Sequence, residues 1–464
     1  MAITIPLYCR LMDRSDSICV CVADMMDWSR IANVVTAALL LCAFASLDRR
    51  SPTPSSRLWL AGWLMIMLHF IAAIFQTILG IWGQLAFIVQ MALFAGAGFL
   101  FIYAAIPDRR QASYRWMLGS LMAASTFYIA VVHLAPGAHW MLAASAALLG
   151  LCPLTVTLLS GRRVNHPLRW ILVLIYGALS IFLLSLQNWP GNSRLSYSEI
   201  ARHAILFAVY FSCFVFVFYT YRRATAGAFI TITGFFCWAT SNVVTSLIVL
   251  YLPQVHIENE VWDLPKFIVA SGMLLILLED QIEHNKFLAL HDALTGLPNR
   301  RLFQDRLSCA LDRAHRTNAQ TALLVIDLDR FKQVNDTMGH HAGDLLLARV
   351  GAILSGRVRR SDTVARTGGD EFSIVLEEPT SRDEAIQVGK MLARLLSEPM
   401  QLETYTVRTS ASIGIAIFPE DASDMQSLCV AADLRMYEDK HGTPLIGTAL
   451  PAPGLADFGL QAAR

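Results

Sequence analysis

Long apolar runs, separated by short loops, fill most of the first 280 residues. A helix needs roughly 20 apolar residues to cross the hydrocarbon core of a membrane. Eight runs are long enough, and they lie at approximately 31–47, 58–80, 84–106, 116–134, 141–160, 170–189, 204–221 and 228–252. A ninth, 264–279, is shorter and is predicted to begin with Pro265 in its first turn. The pattern predicts an all-α membrane bundle over 31–279, preceded by an N-terminal tail at 1–30.

The composition agrees with a membrane protein. The chain is 55% hydrophobic and 16% charged, and its mean hydropathy is +0.48. Since a single water-soluble core stops growing at about 250 to 300 residues, much of this apolar surface is expected to meet the lipid bilayer. A purely cytosolic enzyme is therefore excluded. The net charge of +1 gives no basic field, so no nucleic-acid partner is predicted.

Positive charge is distributed unevenly over the loops between the apolar runs. The first, third, fifth and seventh loops carry eleven arginines, whereas the other four carry three arginine or lysine residues. The odd-numbered loops are therefore predicted to be cytoplasmic, and the ninth crossing then places 280–464 in the cytoplasm below the inner (plasma) membrane. Eight crossings would place that half outside. The N-terminal tail would lie outside, and a start at Met25 or Met26 stays open.

The cysteines and the membrane histidines give weak metal signals. The nine cysteines are scattered, and we interpret them as free thiols that pack like small hydrophobic residues. His69 and His133 lie in or at the end of apolar runs, where histidine with methionine can ligate haem or copper. Met65, Met67 and His69 nevertheless span one helical turn, as any packing face would. Packing is the favoured interpretation, and haem or metal binding stays open.

A heptad pattern follows the last apolar run. Its apolar and polar core positions recur at spacings of 3, 4, 3 and 4 residues, and they are Leu275, Leu278, Ile282, Asn285 and Ala289. This spacing is typical of a short parallel coiled coil, in which Asn285 would set the register. We predict a signalling helix over 280–291. A continuous exposed helix without a partner would fit nearly as well.

The soluble half opens with a turn, a helix and a strand. Residues 295–299 are typical of a turn before a helix that begins near Arg300. A buried-type strand is predicted over 322–326, ending at Asp327, with Asp329 two residues later. A carboxylate at the end of a buried strand projects where a metal can reach it. Asp-x-Asp alone is a weak signal, because such pairs are common in turns.

A helix that begins at Phe331 and Lys332 is predicted next. The free N–H groups of its first turn can receive phosphates. Asn335, His340 and Asp344 follow as polar groups that a ligand could contact.

The sharpest local signal is a hairpin with two carboxylates at its tip. Strand-like runs at 363–367 and 372–376 flank Gly368 and Gly369, which are predicted to take positive φ in a tight turn. Asp370 and Glu371 follow immediately. A bare hairpin needs no such pair, although an isolated solvated turn would carry it equally well.

The segment GGDEF at 368–372 resembles the signature of the GGDEF family of diguanylate cyclases. The resemblance covers about 289–442, and its blocks occur in family order: DALTGLPNRRLF at 292–303, DLDRFKQVNDTMGHHAGDLLL at 327–347, RTGGDEF at 366–372, SIGIAIFP at 412–419 and ADLRMYEDK at 432–440. It implies an α/β domain over 292–442 with a central antiparallel sheet, similar to the palm of nucleotide cyclases and polymerases. The tail at 443–464 is predicted to be disordered.

The resemblance also implies an activity and a set of residue roles. Family members condense two GTP molecules, held on the facing domains of a homodimer, into cyclic di-GMP and two pyrophosphates. Asp327, the carbonyl of Leu328 and Asp370 would hold Mg²⁺ or Mn²⁺, and Asp370 or Glu371 would assist deprotonation of the ribose 3′-hydroxyl. The implied substrate-binding residues are Phe331, Lys332, Asn335, His340, Asp344, Gly368, Gly369 and Lys440.

Two further pairs have counterparts in the family. Asp292 and Arg366 match a pair that ties the turn at the start of the domain to the catalytic hairpin. Arg359 and Asp362 form an R-x-x-D motif with five residues between it and Gly368, and this motif resembles the family's site of product inhibition. A surface Arg and Asp three apart are ordinarily a solvated pair of at most ~1 kcal/mol.

The chain departs from the family pattern near its C-terminus. Pro444 stands where a phosphate-binding arginine is expected, and Arg435 and Asp439 replace the usual alanines. The sequence therefore predicts a membrane-bound diguanylate cyclase, regulated by its membrane region and by its product. The alternative is a catalytically inactive membrane receptor that binds nucleotide. A transporter is disfavoured for the membrane half, which shows no internal repeat and few charges.

Overall fold

The computed structural model describes residues 31–50, 52–75, 81–106, 112–160, 167–187, 195–221, 225–255, 259–379, 381–403 and 405–442. The chain divides into two compact units between Gln281 and Ile282. The two terminal tails, 1–30 and 443–464, lie outside the described residues, as do several of the loop arginines used for the topology prediction.

The first unit is helical, which confirms the predicted fold class. Its helices are α1 (Ile31–Arg50), α2 (Pro54–Phe75), α3 (Ile81–Ala104), α4 (Ala112–Leu134), α5 (His139–Leu159), α6 (Pro167–Leu186), α7 (Tyr197–Thr220), α8 (Ala226–Tyr251) and α9 (Asn259–Leu290), the last of which continues past the division between the units. Within the described ranges, nine helices are long and apolar enough to cross a membrane, judged by length and composition.

Helix α9 begins earlier than predicted. Pro265 does not open it but lies inside it, six residues after its first residue. The hydrogen bond that proline removes would have reached back four residues, into the first turn of the helix, where its loss disturbs little. This turn is also held by side chains, because Asp263 pairs with Lys266 and accepts a 2.5 Å hydrogen bond from Asn33 of α1.

Small residues allow α8 and α9 to pack closely. A Cβ atom at Gly272 would lie 2.5 Å from the backbone nitrogen of Thr231, and one at Gly227 would lie 2.6 Å from that of Ile276. In lipid, helices associate largely through such close contacts, since lipid is as apolar as their side chains. Glu279 also accepts a 3.1 Å hydrogen bond from the amide of Gly227, in the first turn of α8.

The two membrane histidines pack against aromatic rings. His69 is buried, its Nδ1 lies 3.0 Å from the carbonyl oxygen of Gln90, and its ring stacks 4.3 Å from that of Phe94. The ring of His133 stacks 4.4 Å from that of Phe87. The six cysteines that the structure describes are free thiols. Both histidine rings are part of the helix packing, and haem or metal binding stays an open prediction.

The second unit has a central antiparallel sheet, as predicted. Its strands are β1 (Thr321–Asp329), β2 (Thr363–Arg366), β3 (Glu371–Glu377) and β6 (Ser410–Phe418), in the order β2-β3-β1-β6, and β4 (Met400–Leu402) pairs separately with β5 (Tyr405–Val407). Its helices after α9 are α10 (Arg300–Thr317), α11 (Phe331–Met338), α12 (His340–Ser355), α13 (Arg382–Ser397) and α14 (Met425–Lys440).

The central strand β1 separates two hydrophobic cores. Leu324 and Ile326 face one core, whereas Leu323 and Val325 face the other. Burial on both faces explains why this strand is a continuous apolar run in the sequence. A Cβ atom at Gly414 would lie 2.0 Å from the carbonyl oxygen of Ala432, so a glycine is required for α14 to lie directly on β6.

The hairpin between β2 and β3 has a four-residue connection, as the predicted strand bounds imply, but it lies one residue earlier. β2 ends at Arg366 and β3 begins at Glu371. Gly368 and Gly369 are absent from the positive-φ residues of the described chain, and the prediction of positive φ for both was wrong. Gly368 instead lets the side chain of Glu371 lie close to the backbone, because a Cβ atom at Gly368 would lie 2.6 Å from Oε2 of Glu371.

Candidate functional site

The sheet brings together the carboxylates predicted as metal ligands. Asp327 of β1 lies opposite Glu371 in the β1–β3 register, where that pairing ends. The amide of Leu328 then donates a 3.3 Å hydrogen bond to the carbonyl oxygen of Asp370. Asp327 is the most buried of the three carboxylates, at 8% exposed. Asp370 is half-buried and Glu371 is exposed. Asp327, Leu328 and Asp370 therefore lie next to each other where strands β1 and β3 meet the hairpin.

Lys440 reaches this cluster from the end of α14. Its Nζ lies 2.6 Å from Oδ1 of Asp327. This hydrogen bond raises the pKa of Lys440, and the charges of Asp327, Asp329 and Asp370 add to the effect. The ammonium group stays charged, which suits a residue that is predicted to bind phosphate.

Glu371 shows that negative charge exceeds positive charge at this edge. Partial loss of water around its carboxyl group raises the pKa of Glu371, as do the nearby carboxylates of Asp327, Asp370 and Asp433, and Arg300 offsets only part of this. A cluster of carboxylates that is not neutralised by the protein attracts a cation. Asp433 is a member that the sequence did not reveal, because it lies on α14, about 60 residues beyond the hairpin.

The donor set fits Mg²⁺ or Mn²⁺ better than a metal with an all-protein shell. Among the described residues, no three His, Cys, Asp or Glu side chains form a metal-binding group. Mg²⁺ is usually held by one or two carboxylates together with waters and substrate phosphates. Two carboxylates and one backbone carbonyl are therefore a sufficient protein contribution.

Asp329, the second residue of the Asp-x-Asp pair, is engaged within the fold. Its carboxylate accepts hydrogen bonds from the hydroxyls of Ser410, at 2.6 Å, and Ser412, at 2.8 Å. These bonds fix the end of β1 to β6, and Asp329 thereby supports the strand that carries Asp327.

The predicted substrate-binding residues on α11 and α12 lie around a tight helix pair. Gly339, with φ of +84°, separates the two helices. A Cβ atom at Gly343 would lie 1.9 Å from Oδ1 of Asn335, so this glycine leaves room for the amide side chain. His340 and Asp344 are exposed on the first turns of α12. Lys332 is exposed and Phe331 half-buried at the start of α11.

Asp292 and Arg366 form the predicted connection between the turn and the hairpin. Arg366 Nη1 lies 2.9 Å from Oδ1 of Asp292, and its Nη2 donates a 2.7 Å hydrogen bond to the carbonyl oxygen of Gly369. Burial opposes ionisation of Asp292, but hydrogen bonds from Thr295 and Arg366 lower its pKa. The ion pair thus links the loop before α10 to the tip of the hairpin.

Arg359 and Asp362 do not form a simple ion pair with each other. The guanidinium of Arg359 lies 2.7 Å from Glu384 of α13, and its backbone amide donates to Asp362 at 2.8 Å. Asp362 also accepts a 3.2 Å hydrogen bond from the amide of Glu377. The loop is therefore rigidly built, with the arginine side chain exposed at its edge.

The two residues that depart from the family pattern on α14 have structural partners. Arg435 donates to the carbonyl oxygen of Ile415 at 2.6 Å and forms a bidentate pair with Asp421. Asp439 accepts a 3.0 Å hydrogen bond from the amide of Ile413. Both residues fasten α14 to β6. Pro444, the third departure, lies outside the described residues.

Comparison with known proteins agrees with this geometry. Residues 289–443 match the family model described as "Diguanylate cyclase, GGDEF domain". That range contains the hairpin, the carboxylate cluster and Lys440. The second unit contains a GGDEF domain.

The curated relatives resemble this chain in the GGDEF domain. The bifunctional diguanylate cyclase/cyclic di-GMP phosphodiesterase MucR of Pseudomonas aeruginosa is 48% identical over 153 residues, which are 33% of this chain and 22% of MucR. The diguanylate cyclase TpbB of the same species is 42% identical over 161 residues, which are 34% of this chain and 37% of TpbB. The matched region thus spans well under half of either relative.

A solved structure of the GGDEF domain of TpbB from Pseudomonas aeruginosa is 43% identical. The alignment covers 32% of this chain and 88% of the chain in the solved structure, and the TM-score is 0.32.

Proposed function

We propose that this protein is a membrane-bound diguanylate cyclase, which condenses two GTP molecules into cyclic di-GMP and two pyrophosphates. The observation that carries the proposal is the excess of carboxylates around Asp327 and Asp370, reached by Lys440, within a domain that matches a cyclase family. A purely structural hairpin would gain nothing from this excess. The repulsion between the carboxylates disfavours the charged form of Glu371 and thereby raises its pKa.

The proposed roles are those that the family resemblance implies, and the positions of the side chains support them. Asp327, the carbonyl of Leu328 and Asp370 would hold Mg²⁺ or Mn²⁺, which when bound lowers the pKa of a ribose hydroxyl and offsets phosphate charge. Glu371 accepts the proton of the 3′-hydroxyl, a task for which a raised pKa is suitable. Lys440 binds a phosphate oxygen, as do the free amides at the start of α11, Phe331 and Lys332.

The remaining proposed substrate contacts come from α11, α12 and the hairpin. Asn335 and Asp344 hydrogen-bond the guanine edge, and His340 makes a further contact with the nucleotide. Gly368 and Gly369 let the hairpin backbone approach the phosphates. One domain holds one GTP, so the reaction requires a homodimer in which two sites face each other.

The signalling helix would bring the two domains together. Leu278 and Ile282 of α9 are 41% and 52% exposed, as expected for heptad positions that await a second chain. We propose a membrane domain at 31–279, a signalling helix at 280–291 and a cyclase domain at 292–442.

Product binding is proposed to inhibit the enzyme at Arg359 and Asp362. The exposed guanidinium of Arg359 can grip a phosphate or guanine edge of cyclic di-GMP bidentately. Arg359→Ala should leave the initial rate nearly intact and let product accumulate beyond the wild-type plateau. Equal plateaus would mean that the motif is only a surface ion-pair site.

The cyclase domain is proposed to face the cytoplasm, where GTP is available. A reporter that is active only in the cytoplasm should be on when fused after Gly161 and off when fused after Gly137. The reverse pattern would contradict both the nine-helix topology and the access to GTP.

Product analysis of the full-length protein in nanodiscs tests the activity. Incubation with GTP and Mg²⁺ should yield cyclic di-GMP and pyrophosphate in a ratio of one to two. GTP that is bound but recovered intact would favour the inactive nucleotide-binding receptor instead.

A further inference from the structure

A cavity of about 280 Å³ lies among three helices of the membrane unit. Its walls come from α3, α4 and α7, and the side chains that matter are Phe87, Tyr128, His133, Glu199 and Arg202. Arginine is rare inside membrane segments, and where it occurs it usually faces a cavity and serves function. Arg202 therefore identifies this cavity as a candidate binding site.

Arg202 is half-buried in the wall of this cavity. It lies over the ring of Phe87, 5.7 Å from the ring centroid. The charge of Glu199 is nearby, but that carboxylate is engaged with the amide and hydroxyl of Ser196, both at 2.8 Å. Across the ranges that the structure covers, no residue is found to accept a hydrogen bond from Arg202. Its donors are available to an oxyanion.

The other walls suit a flat apolar body. The ring of Phe87 stacks on that of His133 at 4.4 Å, and Ile129, Val132 and Ile205 complete an apolar lining. The hydroxyl of Tyr128 is already paired with that of Tyr197, at 2.7 Å. Arg202, Glu199, Ser196 and Ser198 lie on the α7 side of the lining, and the α3 and α4 side offers mainly aromatic and aliphatic surface to a ligand.

Size and position restrict the occupant further. At ~30 Å³ for each water molecule in the liquid, the cavity has room for about nine waters, or a ligand of about ten non-hydrogen atoms. Its residues lie near the C-terminal end of α4 and the N-terminal ends of α3 and α7. The proposed topology places these three ends together on the side away from the cytoplasm.

We propose that this cavity is a sensory site for a small monocarboxylate with a planar or short apolar body. Arg202 binds the carboxylate in a bidentate pair, and Phe87 with His133 forms the wall against which the apolar body packs. The proposal goes beyond the cyclase activity. It concerns binding alone, so its failure can be told apart from failure of the proposed catalysis.

Calorimetry with benzoate on the full-length protein in phosphatidylcholine nanodiscs tests the proposal. Benzoate should bind, and benzamide, which has the same shape without the charge, should bind at least tenfold more weakly. Arg202→Gln should weaken benzoate binding at least tenfold. Glu199→Gln, which keeps an acceptor for Ser196 but removes a repelling charge, should tighten it severalfold.

Arg115→Gln is the matched control, because Arg115 is an exposed arginine at the opposite end of α4. Its benzoate affinity should equal that of the wild type. Equal affinities of Arg202→Gln and Arg115→Gln, or benzamide binding as tightly as benzoate, would overturn the proposal without relying on how any variant folds. If benzoate binds in phosphatidylcholine nanodiscs but not in phosphatidylglycerol nanodiscs, the cavity binds a lipid headgroup. That result would contradict the proposal that its ligand is a soluble monocarboxylate.

Discussion

The two ends of the central sheet carry charged clusters that are built in opposite ways. At the hairpin end, Asp327, Asp370 and Glu371 outnumber their cationic neighbours, and burial with like charge raises the pKa of Glu371. Beyond the far end of β6, Arg435 and Arg382 both bind Asp421 and hold its pKa well below its usual range.

This difference separates function from stability within one domain. The carboxylate of Asp421 is saturated by its own fold: two arginines bind it, and it accepts a 2.8 Å hydrogen bond from the amide of Ile417. The hairpin end is left with excess negative charge, which a metal ion and a substrate would complete. Removal of a carboxylate should therefore affect turnover at one end and folding at the other.

The largest effect is expected at the hairpin end. Asp370→Ala should lower the rate of cyclic di-GMP synthesis about a hundredfold or more, which is ~2.7 kcal/mol in the barrier. The thermal unfolding temperature should stay near that of the wild type, since the removed charge has no saturating partner. Asp312→Ala, at an exposed position on α10, is the control and should keep wild-type activity. If the rate of Asp370→Ala is within tenfold of the wild-type rate, Asp370 does not have the proposed role in holding the metal ion.

The second effect is expected at the far end. Asp421→Ala should lower the free energy of unfolding by about 2 kcal/mol, because the amide of Ile417 loses its acceptor and two arginines each lose one of theirs. The rate of each folded molecule should change little. Thermal unfolding and active-site titration of the same sample measure the two quantities. Lost turnover with unchanged stability would abolish the distinction between the two ends.

The two ends should also respond to pH with opposite signs. Because the pKa of Asp421 is lowered by folding, its contribution to stability is present above about pH 4 and is lost as the pH falls towards the folded value. The pKa of Glu371 is raised, so its cost to stability grows as the pH rises above about 4.3. Without metal, Glu371→Gln should therefore gain stability relative to the wild type as the pH rises from acidic to neutral. A constant difference across this range would argue against the raised pKa.

The smallest effect concerns the missing cation near the hairpin end. With proline at 444, phosphate binding should depend strongly on Lys440 and on the amides of α11. Pro444→Arg should lower the KM for GTP a fewfold with little change in kcat. An unchanged or increased KM would mean that residue 444 does not face the phosphates.

The sequence predicted the elements better than their details. Motif blocks located the strand with Asp327 and the hairpin with Asp370, because metal and phosphate chemistry restricts residue types at fixed positions. The φ values of Gly368 and Gly369 were predicted wrongly, since glycine pairs suit tight turns and close approach equally. Because proline suits the first turn of a helix, the sequence predicts a start at Pro265, whereas α9 begins at Asn259.

Other features were invisible in the sequence because they are tertiary. Asp433 approaches Glu371 only after α14 packs on β6, and a lone aspartate on a helix gives no signal. The cavity at Arg202 likewise needs three helices that are far apart in the chain. Arg435 and Asp439 were noted as departures from the family pattern, and their partners could be identified only in the folded domain.

Binding of Mn²⁺ tests most directly whether the unsaturated end of the sheet is a metal site. Electron paramagnetic resonance can count free Mn²⁺ in the presence of full-length protein and a non-hydrolysable GTP analogue. The wild type and Asp421→Asn should bind Mn²⁺ with equal affinity, and Asp327→Asn should bind it at least tenfold more weakly. Equal binding by Asp327→Asn and the wild type would contradict this account.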